Sequence, residues 1–273
     1  MIDKLIVIPN KYIDIDNLRN VGITTFLLPL EEYSIGYNSF SIAEINKIGT
    51  TIYILINRIL STKEIEKLEA DLLKINNIKG IFFEDLGVFE KLRNRTYELI
   101  NYQCHFGTNY HSINFMLEAN MKSYVVPNDL TFEEIKEVVA NVVKPVVLFV
   151  FGQSEVMYSR RKLLSNYRDH YALEQTDSVI TELVSKISFD IKESDYGSYL
   201  FDHHYYDGSE LFTLSQENVL YYLINAQNFD LNKLIVIIDL IKNNKTQLIK
   251  ENDPLINDGF LSRETVYQVK GDE

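Results

Sequence analysis

TIYILINRILSTKEIEKLEADLLKI, Thr51 to Ile75, decides the fold. Its first six residues are apolar or β-branched without a polar interruption, the pattern of a strand buried on both faces. Ser61 then stands three residues before Glu64, so its hydroxyl can cap a helix whose N3 carboxylate reaches back to the cap amide. Apolar residues recur behind that cap at helical spacing. A buried strand, a short polar connection and an amphipathic helix make one unit of an α/β fold.

Equivalent strand runs occur at Lys4–Ile8, Ile23–Leu28, Lys79–Phe83, Glu98–Tyr102, Lys122–Val126 and Pro145–Val150, with an eighth expected at Leu234–Asp239. Helical patterns lie between them. Ser41 opens one over Ser41–Ile48, and Thr131 followed by Glu134 repeats the capping signature before Ile135, Val138 and Val139. Strands alternating with helices over this length predict a TIM-type (β/α)8-like barrel. The chain is then a single domain, 1–273, with 151–230 as an insertion over the barrel mouth.

At 273 residues, 46% hydrophobic and 24% charged, the chain can bury a full core. Its net charge of -12 disfavours unaided nucleic-acid binding, which needs clustered Lys and Arg to displace counterions. The single cysteine, Cys104, excludes an intramolecular disulfide and any four-cysteine centre built by this chain alone. MIDKLIVIPNKY has no basic region before a long apolar stretch, and no run of about 18 apolar residues follows. The expectation is a cytoplasmic protein with no membrane contact.

Chemistry in a parallel barrel gathers at the C-terminal ends of the strands. Asn57 follows the third strand, Glu84 and Asp85 close the fourth, Asn109 and His111 follow the fifth, and Asn128 and Asp129 the sixth. Gln153 to Arg161, including Tyr158 and Ser159, follow the seventh. The same residue types also cap the next helix. Glu84 and Asp85 are adjacent, so only one can face the mouth, and it is Glu84 if Phe82 points inward. Cys104 and His105 suggest a thiolate and imidazole, yet neighbours on one strand face opposite ways and a free cysteine commonly fills apolar space. In DHHYYD, Asp202 to Asp207, alternation puts Asp202, His204 and Tyr206 on one face and His203, Tyr205 and Asp207 on the other, too few ligands on either for a metal site. No metal is expected, and the catalytic residues stay unassigned.

YSRRKLLSNY, Tyr158 to Tyr167, follows the strand PVVLFVFG and resembles the signature YSGRCLLSNY of the collagenase-like peptidase family U-32. YNSFSIAEI (37–45), ILINRILSTKEIEKLE (54–69), FFEDLGVFEKL (82–92), GTNYHSINFMLEANMKSYVVPNDLTFEEI (107–135) and DGFLSRETVY (258–267) are similar to further family segments, in order. The resemblance implies the same barrel. Members with the full pattern hold an iron-sulfur cluster through cysteines and hydroxylate a tRNA wobble uridine, a ribosomal RNA base or a quinone precursor without oxygen, several of them as two related subunits.

This chain departs from that pattern at Arg160 and Lys162, where the family has Gly and Cys, and RDHYALEQTD lacks the later cysteines. The closing Glu-Gly-Arg is absent too. An ammonium cannot replace a thiolate ligand, so no cofactor of its own is expected. The resemblance implies a cluster-less supporting subunit in tRNA uridine hydroxylation, with a cysteine-rich paralogous subunit as partner and RNA reached only through that partner. The alternatives are a peptidase of the collagenase-like type and a non-catalytic scaffold that binds a small anion. Arg160, Arg161 and Lys162 are the candidate anion-binding residues, since planar guanidinium forks and an ammonium suit carboxylate or phosphate.

Overall fold

The computed structural model describes residues 2–263 apart from 104, 176 and 185, so Cys104 and the stretch from 264 lie outside the described residues. Strands β1 (Leu5–Ile8), β2 (Thr25–Pro29), β3 (Ile52–Ile56), β4 (Ile78–Phe83), β5 (Glu98–Asn101), β6 (Ser123–Val126) and β7 (Val146–Ser159) alternate with helices α1 (Asp14–Asn20), α2 (Ile42–Ile45), α3 (Thr62–Leu72), α4 (Leu86–Leu92), α5 (Tyr110–Glu118) and α6 (Phe132–Asn141). Helix α7 (Leu163–Tyr171) and strands β8 (Val179–Thr181), β9 (Ser188–Ser194) and β10 (Gly197–Asp207) come next. Strand β11 (Val219–Asn225), helix α8 (Leu231–Lys242) and strand β12 (Ile256–Asn257) complete the order.

Strands β1 to β7 pair in sequence, all parallel, and β11 closes the ring by pairing with both β7 and β1. The result is the eight-stranded barrel that the strand and helix alternation predicts. All five residues of β3 are buried, as a strand covered by side chains inside and helices outside requires. The helix starts follow the capping logic. Ser41, Ser61 and Thr131 each accept the N3 amide while Glu44, Glu64 and Glu134 reach back to the cap amide. Glu64 is pulled down to about 2, by the Ser61 hydroxyl and amide first and by Arg58 in addition.

The eighth strand is not where the sequence placed it. Leu234–Asp239 lies inside α8, which Asp230 caps by accepting the amide of Lys233 at 3.0 Å. Its β-branched residues look strand-like one by one, but the buried ones are Leu234, Ile237, Ile238 and Ile241, a helical stripe. The barrel takes VLYYLIN instead, inside the stretch expected as insertion.

Strand β7 also runs past the barrel rim. After Phe151 it bends at Gly152, whose φ of +129° leaves room for the Asn225 carbonyl where a Cβ would collide. Its outer half pairs antiparallel with β10, β9 pairs with β10 and β8 with β9. This sheet stands over the C-terminal end of the barrel beside the loop after β2.

Candidate functional site at the barrel mouth

Aromatic rings form a column inside the barrel. Tyr53 meets Phe82 edge-on at 5.4 Å, and Phe82 meets Tyr102 at 6.3 Å. Inward-facing Phe82 puts Glu84, two residues on, at the same wall of the mouth. Glu155, on the outer half of β7, faces it and is only 8% exposed.

Three phenols surround Glu155. Tyr37 and Tyr102 donate to its Oε1, Tyr102 at 2.8 Å, and Tyr199 donates to Oε2 at 2.5 Å. The Tyr37 and Tyr102 hydroxyls are also 3.0 Å apart. Each tyrosine comes from a different part of the chain: the loop after β2, the end of β5, and β10. The carboxylate therefore ties the outer sheet to the barrel, with hydrogen bonds to a charged acceptor in a dry setting.

Glu84 Oε1 lies 3.2 Å from the same Tyr199 hydroxyl. Desolvation, followed by the charge of Glu155, pushes Glu84 well above the ordinary carboxylate range. Two carboxyls so placed favour one charge and one retained proton. Desolvation, and then Glu155, also raises Tyr37, which keeps it a donor. The arrangement can hold and relay a proton at Glu84 while Glu155 stays fixed as acceptor.

The loop that carries Tyr37 is held from below. Asn57, fully buried, accepts from the Ile35 amide at 2.9 Å and donates to the Ile35 carbonyl at 3.0 Å. Gly36, at φ +82°, lies against Tyr199 and Phe201, and a Cβ there would come within 2.9 Å of both rings. Arg58 binds the Glu32 carbonyl and Glu64 and stacks 3.6 Å from the Tyr196 ring centre. Asn57 thus positions the tyrosine rather than facing the cavity.

The remaining predicted residues divide. Tyr158 stacks on Tyr199 at 5.8 Å and donates to the Tyr196 carbonyl at 3.3 Å, beside the carboxyl pair. Desolvation raises its hydroxyl despite the opposing charge of Arg58. Asn109 caps α5 by accepting the Ser112 amide at 3.0 Å, and His111 lies exposed against Tyr110. The Ser159 hydroxyl accepts from the Arg161 amide at 3.2 Å in a local turn.

Arg160, Arg161 and Lys162 are exposed at the outer end of β7, beyond Glu155. Lys162 pairs with Asp195 at 2.6 Å. The first amides of α7 are taken by the chain itself: Leu163 donates to Ser198 at 2.9 Å and Leu164 to Glu193 at 2.8 Å, while Ser165 also binds Glu193. An acid at a helix N-terminus is favoured by the macrodipole. Desolvation opposes it, but the Ser165, Ser198 and Leu164 contacts carry Glu193 below its usual range.

Sequence reasoning places Glu155 at the mouth only as one residue of the stretch Gln153 to Arg161, and it does not single out Tyr102 or Tyr199. The signal available was weak. Gln153 and Glu155 are polar residues two apart in a continuing strand, which marks one polar face but not what meets it. A second polar group lies nearby, where Gln153 donates to Asp190 at 2.5 Å and accepts from Asn228 at 2.7 Å. His203 faces Asp190 at 2.8 Å, and Lys192 donates to Asn228 at 2.9 Å. Burial lowers Lys192 to about 8 against the pull of Asp190.

DHHYYD divides between two faces as strand alternation requires: Asp202, His204 and Tyr206 line one cleft, while His203 and Tyr205 turn to Asp190 and Asn228. Among the described residues no three His, Cys, Asp or Glu side chains converge as metal ligands, and no helix is long and apolar enough to cross a membrane.

The family model for peptidase family U32 matches residues 38–175, a little over half of the chain. Among solved structures, the U32 peptidase Mk0906 is similar over 84% of this chain and 94% of its own, at 10% identity and a TM-score of 0.49. The spore cortex-lytic enzyme SleL of Bacillus cereus is similar over 93% of this chain and 75% of its own, at 11% identity and a TM-score of 0.43. SleL of Bacillus megaterium matches over 86% and 73%, at 8% identity and 0.40. No curated protein matches the chain in sequence.

Proposed function

The chain belongs to peptidase family U32, and from that premise we propose that it is a cluster-less supporting subunit in the hydroxylation of a tRNA uridine. The observation that carries the reading is at residue 162. Where the family signature has its first cysteine, this chain has a lysine whose ammonium is paired with Asp195, beside helix amides already bound by Glu193. With one cysteine in 273 residues, a thiolate-bound redox centre must come from another chain. A cysteine-rich paralogue supplies it in this reading.

The charge of -12 agrees with that division of labour, because the phosphate-binding surface then belongs to the partner. The barrel contributes a rigid face. Nucleoside mass spectrometry of tRNA from cells lacking the gene tests the proposal: hydroxyuridine-derived nucleosides disappear, and reintroducing the gene restores them. An unchanged nucleoside profile would overturn it, as would a purified chain that performs the hydroxylation with no partner present.

A further inference from the structure

The outer sheet ends at β8. Among the described residues β8 pairs with β9 alone, Val179, Ile180 and Thr181 lying opposite Asp190, Phe189 and Ser188, and all three residues of β8 are exposed. An edge strand presents a row of unused backbone donors and acceptors, which proteins commonly blunt with Lys, Pro or an inward charge. Val179–Thr181 carries none of these.

The hydrogen bonds of the hairpin show which groups are left over. The Ile191 amide donates to the Ser178 carbonyl at 2.7 Å and the Glu182 amide to the Ile187 carbonyl at 2.8 Å, so residues 178, 180 and 182 turn their backbone groups toward β9. The amides and carbonyls of Val179 and Thr181 then point away from the sheet, placed evenly on either side of Ile180. A second copy of the same strand, running antiparallel about a two-fold axis at Ile180, matches them: Val179 of each copy exchanges both hydrogen bonds with Thr181 of the other. Glu182 falls opposite Ser178 in that register, so no like charges oppose each other.

The turn after β8 supplies contact area. Leu183 is 81% exposed and Val184 89%, and Val179, Ile180 and Ile187 are each about two-fifths exposed. These side chains open roughly 500 Å² of apolar surface on one hairpin, more than a monomeric soluble protein ordinarily leaves bare in one place. Two copies bring roughly 1,000 Å², the size that a specific interface has to reach. We propose that two copies of this chain join edge to edge through β8, forming one continuous sheet across a two-fold axis with the apolar turns against the junction. The occupant is a copy because the edge is its own complement, and the pairing is independent of the subunit role proposed above.

Sedimentation velocity on the full chain reads the assembly. A dimer is expected, with its dissociation constant raised at least about tenfold in Ile180→Lys and in Leu183→Glu. Ile180→Lys sets two ammonium groups opposite each other at the axis. Cysteine pairing in a Cys104→Ser background checks the register, since the two 180 positions face each other as a non-hydrogen-bonded pair with Cα atoms about 4.5 Å apart, within reach of a disulfide. Under mild oxidation Ile180→Cys is expected to cross-link as a dimer, whereas Val179→Cys, facing Thr181 of the other copy, is not. A chain that stays monomeric to about 100 μM would overturn the proposal. So would a dimer that both charged substitutions leave intact, equal cross-linking at 179 and 180, or an edge that accepts a cysteine-rich paralogue and never a second copy.

Discussion

The two ends of the barrel solve the same problem with different partners. At the N-terminal end, the Tyr53 hydroxyl donates to Glu98 at 2.5 Å and lies 3.0 Å from that of Tyr221, and Lys79 donates to Tyr221 at 3.0 Å. Lys79 and Lys122 also stand 3.9 and 3.6 Å from Glu98. At the mouth, Glu155 is held by three tyrosines, and the carboxyl of Glu84 shares the Tyr199 hydroxyl with it. One end neutralises its acid with ammonium groups; the other leaves a proton on a neighbour. That difference separates a structural plug from a site with chemical potential, although both use phenol and carboxylate.

The largest test removes the centre of the mouth. Glu155→Ala removes the carboxylate shared by three buried hydroxyls and is expected to cost about 3 kcal/mol or more, against about 1–3 kcal/mol for Glu98→Ala at the wetter base. Urea unfolding at constant slope measures both. Equal losses would erase the distinction between the ends.

Next comes Asn57→Ala, which cuts both hydrogen bonds to Ile35 and is expected to cost about 2 kcal/mol while loosening the loop of Tyr37. Amide exchange at residues 33–40 should rise with it; unchanged protection there would show that Asn57 does not position that loop.

The mouth also predicts a pH dependence. Because Glu84 is raised in the folded state, folding favours its protonated form, so this stability is complete below the unfolded carboxylate value and is lost as pH rises toward the folded one. Glu84→Gln should flatten stability against pH in that window. A wild-type curve that rises there, with no change in the variant, would contradict a retained proton.

The smallest effect belongs to the base. Lys79→Met is expected to cost no more than about 1 kcal/mol, because the side chain is half exposed and solvent screens its pairing. A larger loss would make the N-terminal plug as critical as the mouth.

Much of the barrel could be read from the sequence because its signals are local. Seven strand runs and the caps at Ser61 and Thr131 depend on residues within a few positions of each other. The eighth strand was misplaced because Leu234–Asp239 and Val219–Asn225 are both short apolar runs, and only the choice of which one pairs with β1 and β7 separates them. Glu84 could be inferred from the parity of Phe82, but Glu155 could not, since its partners come from residues 37, 102 and 199.

By itself, then, the sequence determined alternation, capping, the lone cysteine and the lysine at 162, all properties of residue order and side-chain type. Tertiary structure alone decided which carboxylate became the centre of the mouth and what surrounds it. The reason is the irregular pairing of β7 with β10, whose register shifts on either side of Phe201 set Glu155 opposite that residue and bring Tyr199 within reach. Such a register is chosen by packing across the whole sheet, and no local pattern encodes it.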